Sequence, residues 1–242
     1  FQFHAFPSYI SVMNATSFKE FINSLSSEFI PVIDKTFSKE DYIHIDLSKT
    51  NAELASVDVS SSSEFDKYIT AYLKKHNKLI AYGGYIETRD IYSRSTHFNK
   101  QDVETERNIH LGLDVWAAEG NTVLAPLDGE VHSFRNNTNF GDYGPTIILK
   151  HIEQNETFYT LYGHLRVASI EKVKVGDIFK KGNIIATLGS AEVNGDYAPH
   201  LHFQIIRDMQ GKTGDYPGVS SAKDIKYYQD NCPDPNLFLK IS

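Results

Sequence analysis

The feature that most constrains the fold is a change in sequence texture near residue 80. From there on, short apolar or alternating runs such as NTVLAP, TIILKH and HLHFQII are separated by glycine, asparagine, aspartate and proline. Such runs predict strands, and their spacing is typical of an antiparallel sandwich or barrel. We therefore expect a mostly β unit over residues 80–242.

The chain before residue 80 has a helical pattern instead. Apolar spacing predicts a helix over residues 17–29, with a capping box that begins at Ser17, and a second helix over residues 64–76 behind a serine cluster. We expect residues 1–79 to form a small α-containing appendage. Near the other end, residues 208–228 have the composition of a long polar loop.

Composition removes several classes of function. The only cysteine, Cys232, excludes an intrachain disulfide and a zinc site built from thiolates. The formal net charge of -7 argues against a nucleic-acid partner, whose binding needs neutralised phosphates. No apolar run approaches the ~18 residues of a membrane span, so none is expected.

Two of the ten histidines lie two positions apart in the run HLHFQII. Side chains two apart on a strand point to the same face, with Cα atoms roughly 6.6 Å apart. His200 and His202 can therefore converge on one point, and Gln204 lies on the same face. Leu201 and Phe203 then point into the core.

A second cluster is NIHLGLDVW, in which His110 and Asp114 lie on one side of an extended chain with Gly112 between them. Four fully extended residues span about 13 Å, so the backbone must bend for both side chains to reach one ion. Gly112 permits that bend and leaves the space above it empty. His164 ends a third β-rich run, next to Gly163.

Four histidines and one aspartate exceed the three protein ligands of a catalytic zinc site, so the extra imidazoles are free for proton transfer. The histidines named next are not assigned to this group of possible ligands. His44, His76, His97 and His132 are interpreted as surface or core histidines. His151 is interpreted as a sheet hydrogen-bonding group that could also reach the surroundings of the site.

In order and spacing these motifs resemble those of the lysostaphin-type (LytM-like) zinc metallopeptidases, bacterial enzymes that cut peptidoglycan peptides or glycine-rich peptides. The segment HLGLD matches the His-x-Gly-x-Asp motif, LYGHL the central histidine, KVGDIFKKGNIIATLG the paired glycine turns and PHLHFQI the closing strand. The resemblance runs from about Arg107 to Ile206. Ala198 and Gln204 replace a glycine and an acidic residue that are frequent in the family, and neither change removes a ligand.

The resemblance implies that His110, Asp114 and His202 hold one zinc ion, with His200 and His164 as non-ligand catalytic residues. It implies a zinc-dependent endopeptidase that uses a zinc-activated water. One of the two free histidines would take the proton from that water and pass it to the leaving amine, and the other would stabilise the oxyanion.

The resemblance also implies a substrate, a location and a further side chain. The substrate would be a peptide or peptidoglycan, and the protein would be exported to the periplasm or the cell exterior. A start at Phe1 made by a processing enzyme would agree with export. Relatives often place a tyrosine near the oxyanion, for which Tyr85, Tyr92 and Tyr143 are the candidates.

Two alternative functions stand beside the enzyme hypothesis. A catalytically silent regulatory or binding module on the same fold usually lacks a zinc-site residue, whereas all five positions are filled here. A cupin-type metal enzyme expects a glutamate shortly after His-x-His, which Gln204 and its neighbours do not supply. Residues 1–79 are interpreted as a packing appendage rather than as a wall of the substrate groove or an inhibitory segment.

Overall fold

Strands are the main regular structure of the chain, which confirms a mostly β fold. The computed structural model describes residues 15–95 and 105–242 of the 242 residues. Its strands are β1 (Tyr42–His44), β2 (Ile80–Gly83), β3 (Arg107–His110), β4 (Leu113–Trp116), β5 (Thr122–Leu124), β6 (Gly129–Asn137), β7 (Gly144–Glu153), β8 (Glu156–Gly163), β9 (Ile178–Phe179), β10 (Ile184–Thr187), β11 (His200–Ile206) and β12 (Val219–Ser221).

Helices form a smaller share of the described residues. The longest begins where the Ser61 hydroxyl accepts a hydrogen bond from the Glu64 N–H, and it ends at Asn77 in the left-handed conformation. It buries Phe65 and Ile69, which lie four residues apart on one face. The helices are α1 (Ala15–Ser24), α2 (Ser62–His76), α3 (Val167–Ile170), α4 (Ile225–Asn231) and α5 (Asn236–Leu239), with 3-10 turns at Lys39–Asp41, Ala52–Ser56 and Asp90–Arg94.

Helix α1 differs from its predicted bounds at both ends. Ser17, the predicted cap, lies inside the helix, which includes Ala15. The helix ends at Ser24 rather than at Phe29, because serine hydroxyls bond the backbone there: Ser24 Oγ donates to the Phe21 carbonyl oxygen at 2.7 Å. Such local bonds compete with the helical ladder, and the apolar spacing does not register them.

One large sheet contains eight strands in the order β1-β2-β4-β11-β8-β7-β6-β9, and the pairs β5–β10 and β3–β12 form two small sheets. The large sheet is mixed rather than antiparallel, because β1 pairs with β2 in parallel. A two-residue turn joins β7 to β8, with Gln154 and Asn155 at φ 51° and 69°, as a tight hairpin requires. Among the described residues no sheet closes on itself, so a closed sandwich or barrel stays a prediction.

The strand β11 lies inside the sheet, between β4 and β8, and its register places the histidines. His202 pairs with Asp114 on one side and with Gly163 on the other. His200 pairs with Trp116. Residues directly opposite each other in antiparallel strands have Cβ atoms about 5 Å apart, so this register alone brings two of the predicted site residues together.

Residues 208–228 do not form one long loop, and that prediction is wrong. The segment contains β12, which pairs with β3 so that Val219 lies opposite His110, and it leads into α4. Tyr216 within it is fully buried. A strand of three residues is too short to show the alternation of apolar and polar residues that predicts a strand. Its partner β3 lies more than a hundred residues earlier in the chain.

The described residues before 80 pack into the same core as the strands. The rings of Phe18 and Phe21 lie 6.4 and 5.9 Å from the ring of Phe158 on β8. Ile22 and Ile33 are fully buried in that core. The parallel pairing of β1 with β2 also crosses the predicted boundary near residue 79. A separable appendage over residues 1–79 therefore stays a prediction.

Candidate metal and active site

Three side chains, one each from strands β3, β4 and β11, converge on one point. The Nε2 atom of His110 lies 2.9 Å from Nδ1 of His202 and 3.2 Å from Oδ1 of Asp114. The third side of this triangle, from His202 Nδ1 to Asp114 Oδ1, measures 3.1 Å. All three side chains are buried. The structure thus brings together the residues that the sequence predicts as zinc ligands.

Gly112 makes this convergence possible. A Cβ atom at that position would lie 2.6 Å from the ring of His202 and 2.8 Å from the carbonyl oxygen of Phe203. Neither the ring nor the backbone of the central strand can withdraw without disturbing the site. The chain therefore needs glycine between His110 and Asp114, in agreement with the empty space expected above that residue.

Hydrogen bonds on the far side of each ring decide which nitrogen faces the centre. His110 Nδ1 lies 2.9 Å from the carbonyl oxygen of Gly84, which can only accept, so this nitrogen is the donor. His202 Nε2 lies 2.9 Å from Oε1 of Gln204. The Gln204 amide is itself oriented, since its Nε2 donates to the carbonyl oxygen of Pro217 at 3.1 Å. Gln204, a departure from the family pattern, thus supports His202.

This donor set fits a zinc ion. Two imidazole nitrogens whose ring partners are bonded elsewhere turn their lone pairs toward each other, 2.9 Å apart, beside a carboxylate oxygen. A cation between the three atoms would remove the repulsion between these lone pairs. Donors about 2.1 Å from a tetrahedral zinc lie roughly 3.4 Å apart, slightly more than the edges of this triangle.

His164 and His200 lie beside the triangle, with ring centroids 4.2 Å apart. His164 Nδ1 donates to the Asn194 carbonyl oxygen and His200 Nδ1 to the Ala198 carbonyl oxygen, both at 2.7 Å. The lone pair of each Nε2 is left available. His164 has φ 63°, an uncommon conformation for a residue with a side chain.

Burial sets the charge of these groups. It lowers the pKa of His110 to about 4, holds the pKa of His164 well below its usual range and lowers the pKa of His200. Burial also raises the pKa of Asp114, but His110 and Arg89 outweigh that effect and hold this pKa well below its usual value. A neutral His110 beside an ionised Asp114 is the charge state that zinc ligation requires.

A cavity of about 200 Å³ opens onto the five residues. Residues 215–219, from the segment predicted as a polar loop, form one wall. The rest of the lining includes Trp116, whose ring stacks on His200 at 5.6 Å, together with Tyr92, Tyr143 and Tyr197. None of the described residues 15–79 lines this cavity.

Of the three candidate tyrosines, two line the cavity. Tyr143 has its hydroxyl 3.5 Å from His202 Nε2, and the ring of Tyr92 stacks on His110 at 6.4 Å. Tyr85 instead donates its hydroxyl hydrogen to the carbonyl oxygen of Cys232. The sequence offers no signal that would rank them, because none of the three lies in a strand or an α-helix.

The other histidines lie elsewhere. His151 Nδ1 donates to the Asp128 carbonyl oxygen and its Nε2 lies 2.7 Å from the Thr160 hydroxyl, so it joins strands rather than supporting the site. His44, His76 and His132 do not line the cavity, and His97 lies outside the described residues. Sequence reasoning missed Arg89, whose guanidinium contacts Asp114, since no local pattern marks it.

The site lies in the part of the chain that matches a known protein family. Residues 108–215 match the model of Peptidase family M23, which confirms the resemblance seen in the motifs. All five predicted site residues lie in that segment. No curated protein matches the chain. No helix in the described part of the chain has the length and apolar character of a membrane span.

Several solved structures are similar to part of the chain. The catalytic domain of the antimicrobial peptidase lysostaphin from Staphylococcus simulans is 26% identical over 50% of this chain and 80% of that chain, with a TM-score of 0.34. A catalytic-domain variant of the prophage-encoded M23 protein EnpA from Enterococcus faecalis is 21% identical over 50% and 85%, with a TM-score of 0.36. A zinc containing peptidase from Vibrio cholerae is 29% identical over 45% and 30%, with a TM-score of 0.33. Residues 108–215, just under half of the chain, thus resemble peptidase family M23, a family of zinc metallopeptidases.

Proposed function

We propose that the chain is a zinc-dependent endopeptidase that hydrolyses peptide bonds in peptidoglycan cross-links or in glycine-rich peptides. The observation that carries the proposal is the triangle of His110, Asp114 and His202 donor atoms beside a cavity. The match of residues 108–215 to a peptidase family supports a peptide substrate. Peptidoglycan lies outside the cytoplasm, so the proposal includes export to the periplasm or the cell exterior.

His110 Nε2, Asp114 Oδ1 and His202 Nδ1 would hold one zinc ion. When bound, zinc polarises the scissile carbonyl and lowers the pKa of a coordinated water to roughly 7. The chain itself orients the ligands, because Gly84 and Gln204 hold the far side of the two rings.

His164 and His200 would move the proton. Each ring commits Nδ1–H to a backbone carbonyl oxygen and carries a lowered pKa, so each is neutral at pH 7 with a basic Nε2. One Nε2 takes a proton from the attacking water while the C–O bond forms, and returns it to the leaving amine as the C–N bond breaks. The other ring would take up a proton from solvent at Nε2 as negative charge develops on the substrate oxygen, donate a hydrogen bond to that oxygen, and return the proton to solvent when the oxyanion collapses.

Tyr143 is the tyrosine that the geometry favours for a second oxyanion contact. Its hydroxyl lies in the cavity, 3.1 Å from the Tyr216 carbonyl oxygen to which it donates. Burial holds the pKa of Tyr143 well above its usual range, so the hydroxyl keeps a proton that it would turn from the Tyr216 carbonyl oxygen to an oxyanion. The ring lies 5.7 Å from that of His164, near the atoms that the reaction would charge.

The first prediction tests the two non-ligand histidines. His164→Ala and His200→Ala should each reduce turnover by about 10²- to 10⁴-fold, because proton transfer is lost while the zinc ligands remain. Bound zinc per chain and the peptides released from purified sacculi, identified by mass, are measured on the same samples. His132→Ala, remote from the cavity, should change neither quantity.

Two outcomes would reject parts of this proposal. Loss of zinc from both variants would make His164 and His200 structural or ligating residues rather than proton carriers. A wild-type protein that binds zinc but releases no peptide from sacculi or from a pentaglycine peptide would favour the catalytically silent module.

A further inference from the structure

A buried ion pair lies behind the proposed zinc site, and one of its members precedes residues 108–215. Arg89 donates from Nη1 to Oδ2 of Asp114 at 2.5 Å, with the two side chains 6% and 2% exposed. The other carboxylate oxygen, Oδ1, faces His110 and His202. The two oxygens of Asp114 therefore have separate partners, a guanidinium on one side and the imidazoles on the other.

The guanidinium of Arg89 is held from two further directions. Its Nε donates to Oε2 of Glu87, and its plane lies over the Trp116 ring with 5.5 Å to the centroid. Glu87 is anchored in turn, because its Oε1 accepts a hydrogen bond from the backbone N–H of Leu47 at 2.9 Å. A continuous chain of contacts thus runs from Leu47 through Glu87 and Arg89 to Asp114.

Gly84 adapts the backbone to this arrangement. Its carbonyl oxygen accepts the hydrogen bond from His110, and a Cβ atom in its place would lie 2.0 Å from Nη2 of Arg89. Its φ of +103° is one that residues with side chains rarely adopt. The segment 84–89 therefore contacts the ligand histidine through its first residue and the ligand carboxylate through its last.

We propose that Arg89 is a positioning residue that restricts Asp114 to a single metal-binding oxygen. While Oδ2 accepts the guanidinium N–H, only Oδ1 is available to an ion at the centre of the triangle. Glu87 balances the charge of Arg89 and connects Arg89 to Leu47. The described chain before residue 80 therefore has a role at the site, although none of its residues lines the cavity. The inference rests on the proposed function, because it assumes a metal at the triangle.

The test removes the pair without changing net charge. The double variant Glu87→Gln with Arg89→Met keeps both side chains near their original size and leaves Oδ2 free. The metal-free full-length protein is titrated with Co²⁺ and with Zn²⁺ against a chromophoric chelator. The visible absorption of Co²⁺ reports its coordination, since the bands weaken when a fifth ligand is added to a four-coordinate ion.

We expect the wild type to show the stronger four-coordinate bands and the double variant the weaker ones, because Oδ2 can then join the metal. Zinc affinity should fall by roughly 10- to 100-fold, as for other residues that orient metal ligands. The matched control is Glu119→Gln with Arg166→Met, an exposed ion pair of 2.9 Å whose removal should alter neither quantity.

Failures of the two proposals are distinguishable. A wild type that binds neither metal would reject the proposed function. A wild type that binds both, together with a double variant of equal spectrum and affinity, would reject only the role of Arg89. If the double variant does not fold, Arg89→Lys replaces it: a single ammonium cannot reproduce the fork that contacts both carboxylates, so the same spectral change is expected.

Discussion

Backbone carbonyl oxygens decide the chemistry of single histidines in this site. Three of the four histidines donate from Nδ1 to a backbone carbonyl oxygen. The fourth, His202, instead places Nε2 against the side-chain oxygen of Gln204. A carbonyl oxygen only accepts, so the opposite ring nitrogen must carry the lone pair. These pairs are His110–Gly84, His164–Asn194, His200–Ala198 and His202–Gln204.

The position of Gly112 gives a prediction at this scale. Gly112→Ala places a methyl group 2.6 Å from the ring of His202, so the ring must move off the triangle. We expect zinc content after dialysis to fall well below one per chain, with a loss of about 1 to 3 kcal/mol in the free energy of unfolding. Metal analysis and urea unfolding of one preparation measure both.

Gly120→Ala serves as the comparison. That glycine has φ +82° and no atom within 4 Å of a new Cβ, so alanine there adds backbone strain without a clash. Its zinc content should equal that of the wild type. Equal zinc content in the Gly112 variant would show that the space above this residue is not needed for metal binding.

At the scale of elements, strand register is what brings Asp114 and His202 together. The two residues are direct partners across β4 and β11. A slip of one position would turn every side chain of β11 to the opposite face and bury the imidazoles in the core. The apolar residues between the histidines, Leu201 and Phe203, are fully buried and oppose such a slip.

His151, which joins β7 to β8, predicts how the free energy of unfolding depends on pH. Burial lowers the pKa of His151 to about 4, from an ordinary value of 6.5. The unfolded chain therefore binds a proton at a higher pH than the folded chain, and stability falls as pH drops from about 6.5 to 4. This group alone should remove about 3 kcal/mol over that range.

His151→Gln isolates the effect. Glutamine cannot titrate, so the difference between wild type and variant in unfolding free energy should change with pH between 4 and 6.5 and become constant above it. Urea unfolding of both proteins, each without metal, supplies the comparison. Parallel curves for the two proteins would mean that His151 is not held neutral in the folded state.

In the molecule as a whole, the described residues before 80 share one core with the strands. Phe18 is 1% exposed and contacts Phe158 on β8. Leu47 supports Glu87, which holds the residue paired with Asp114. Such sharing predicts that the described N-terminal residues unfold together with the site rather than before it.

Phe18→Ala tests that cooperation. Removing a buried phenylalanine should cost about 3 to 5 kcal/mol, and calorimetry should still show one transition at a lower temperature. Leu79→Ala, at a side chain that is 56% exposed, should stay within about 0.5 kcal/mol of the wild type. A separate early transition in the Phe18 variant, with zinc still bound, would instead support an independent appendage.

Features that depend on a few neighbouring residues can be predicted from the amino-acid sequence without the fold. The alternation of HLHFQII puts His200 and His202 on one face, and the glycine of HLGLD leaves room for a ring; both follow from strand geometry alone. The family match followed from the same motifs. The parallel pairing of β1 with β2, the strand β12 and the ion pair of Arg89 with Asp114 were decided only by the tertiary structure. Each of these joins residues far apart in the chain, and their energies depend on burial and contact geometry that no local pattern of residues records.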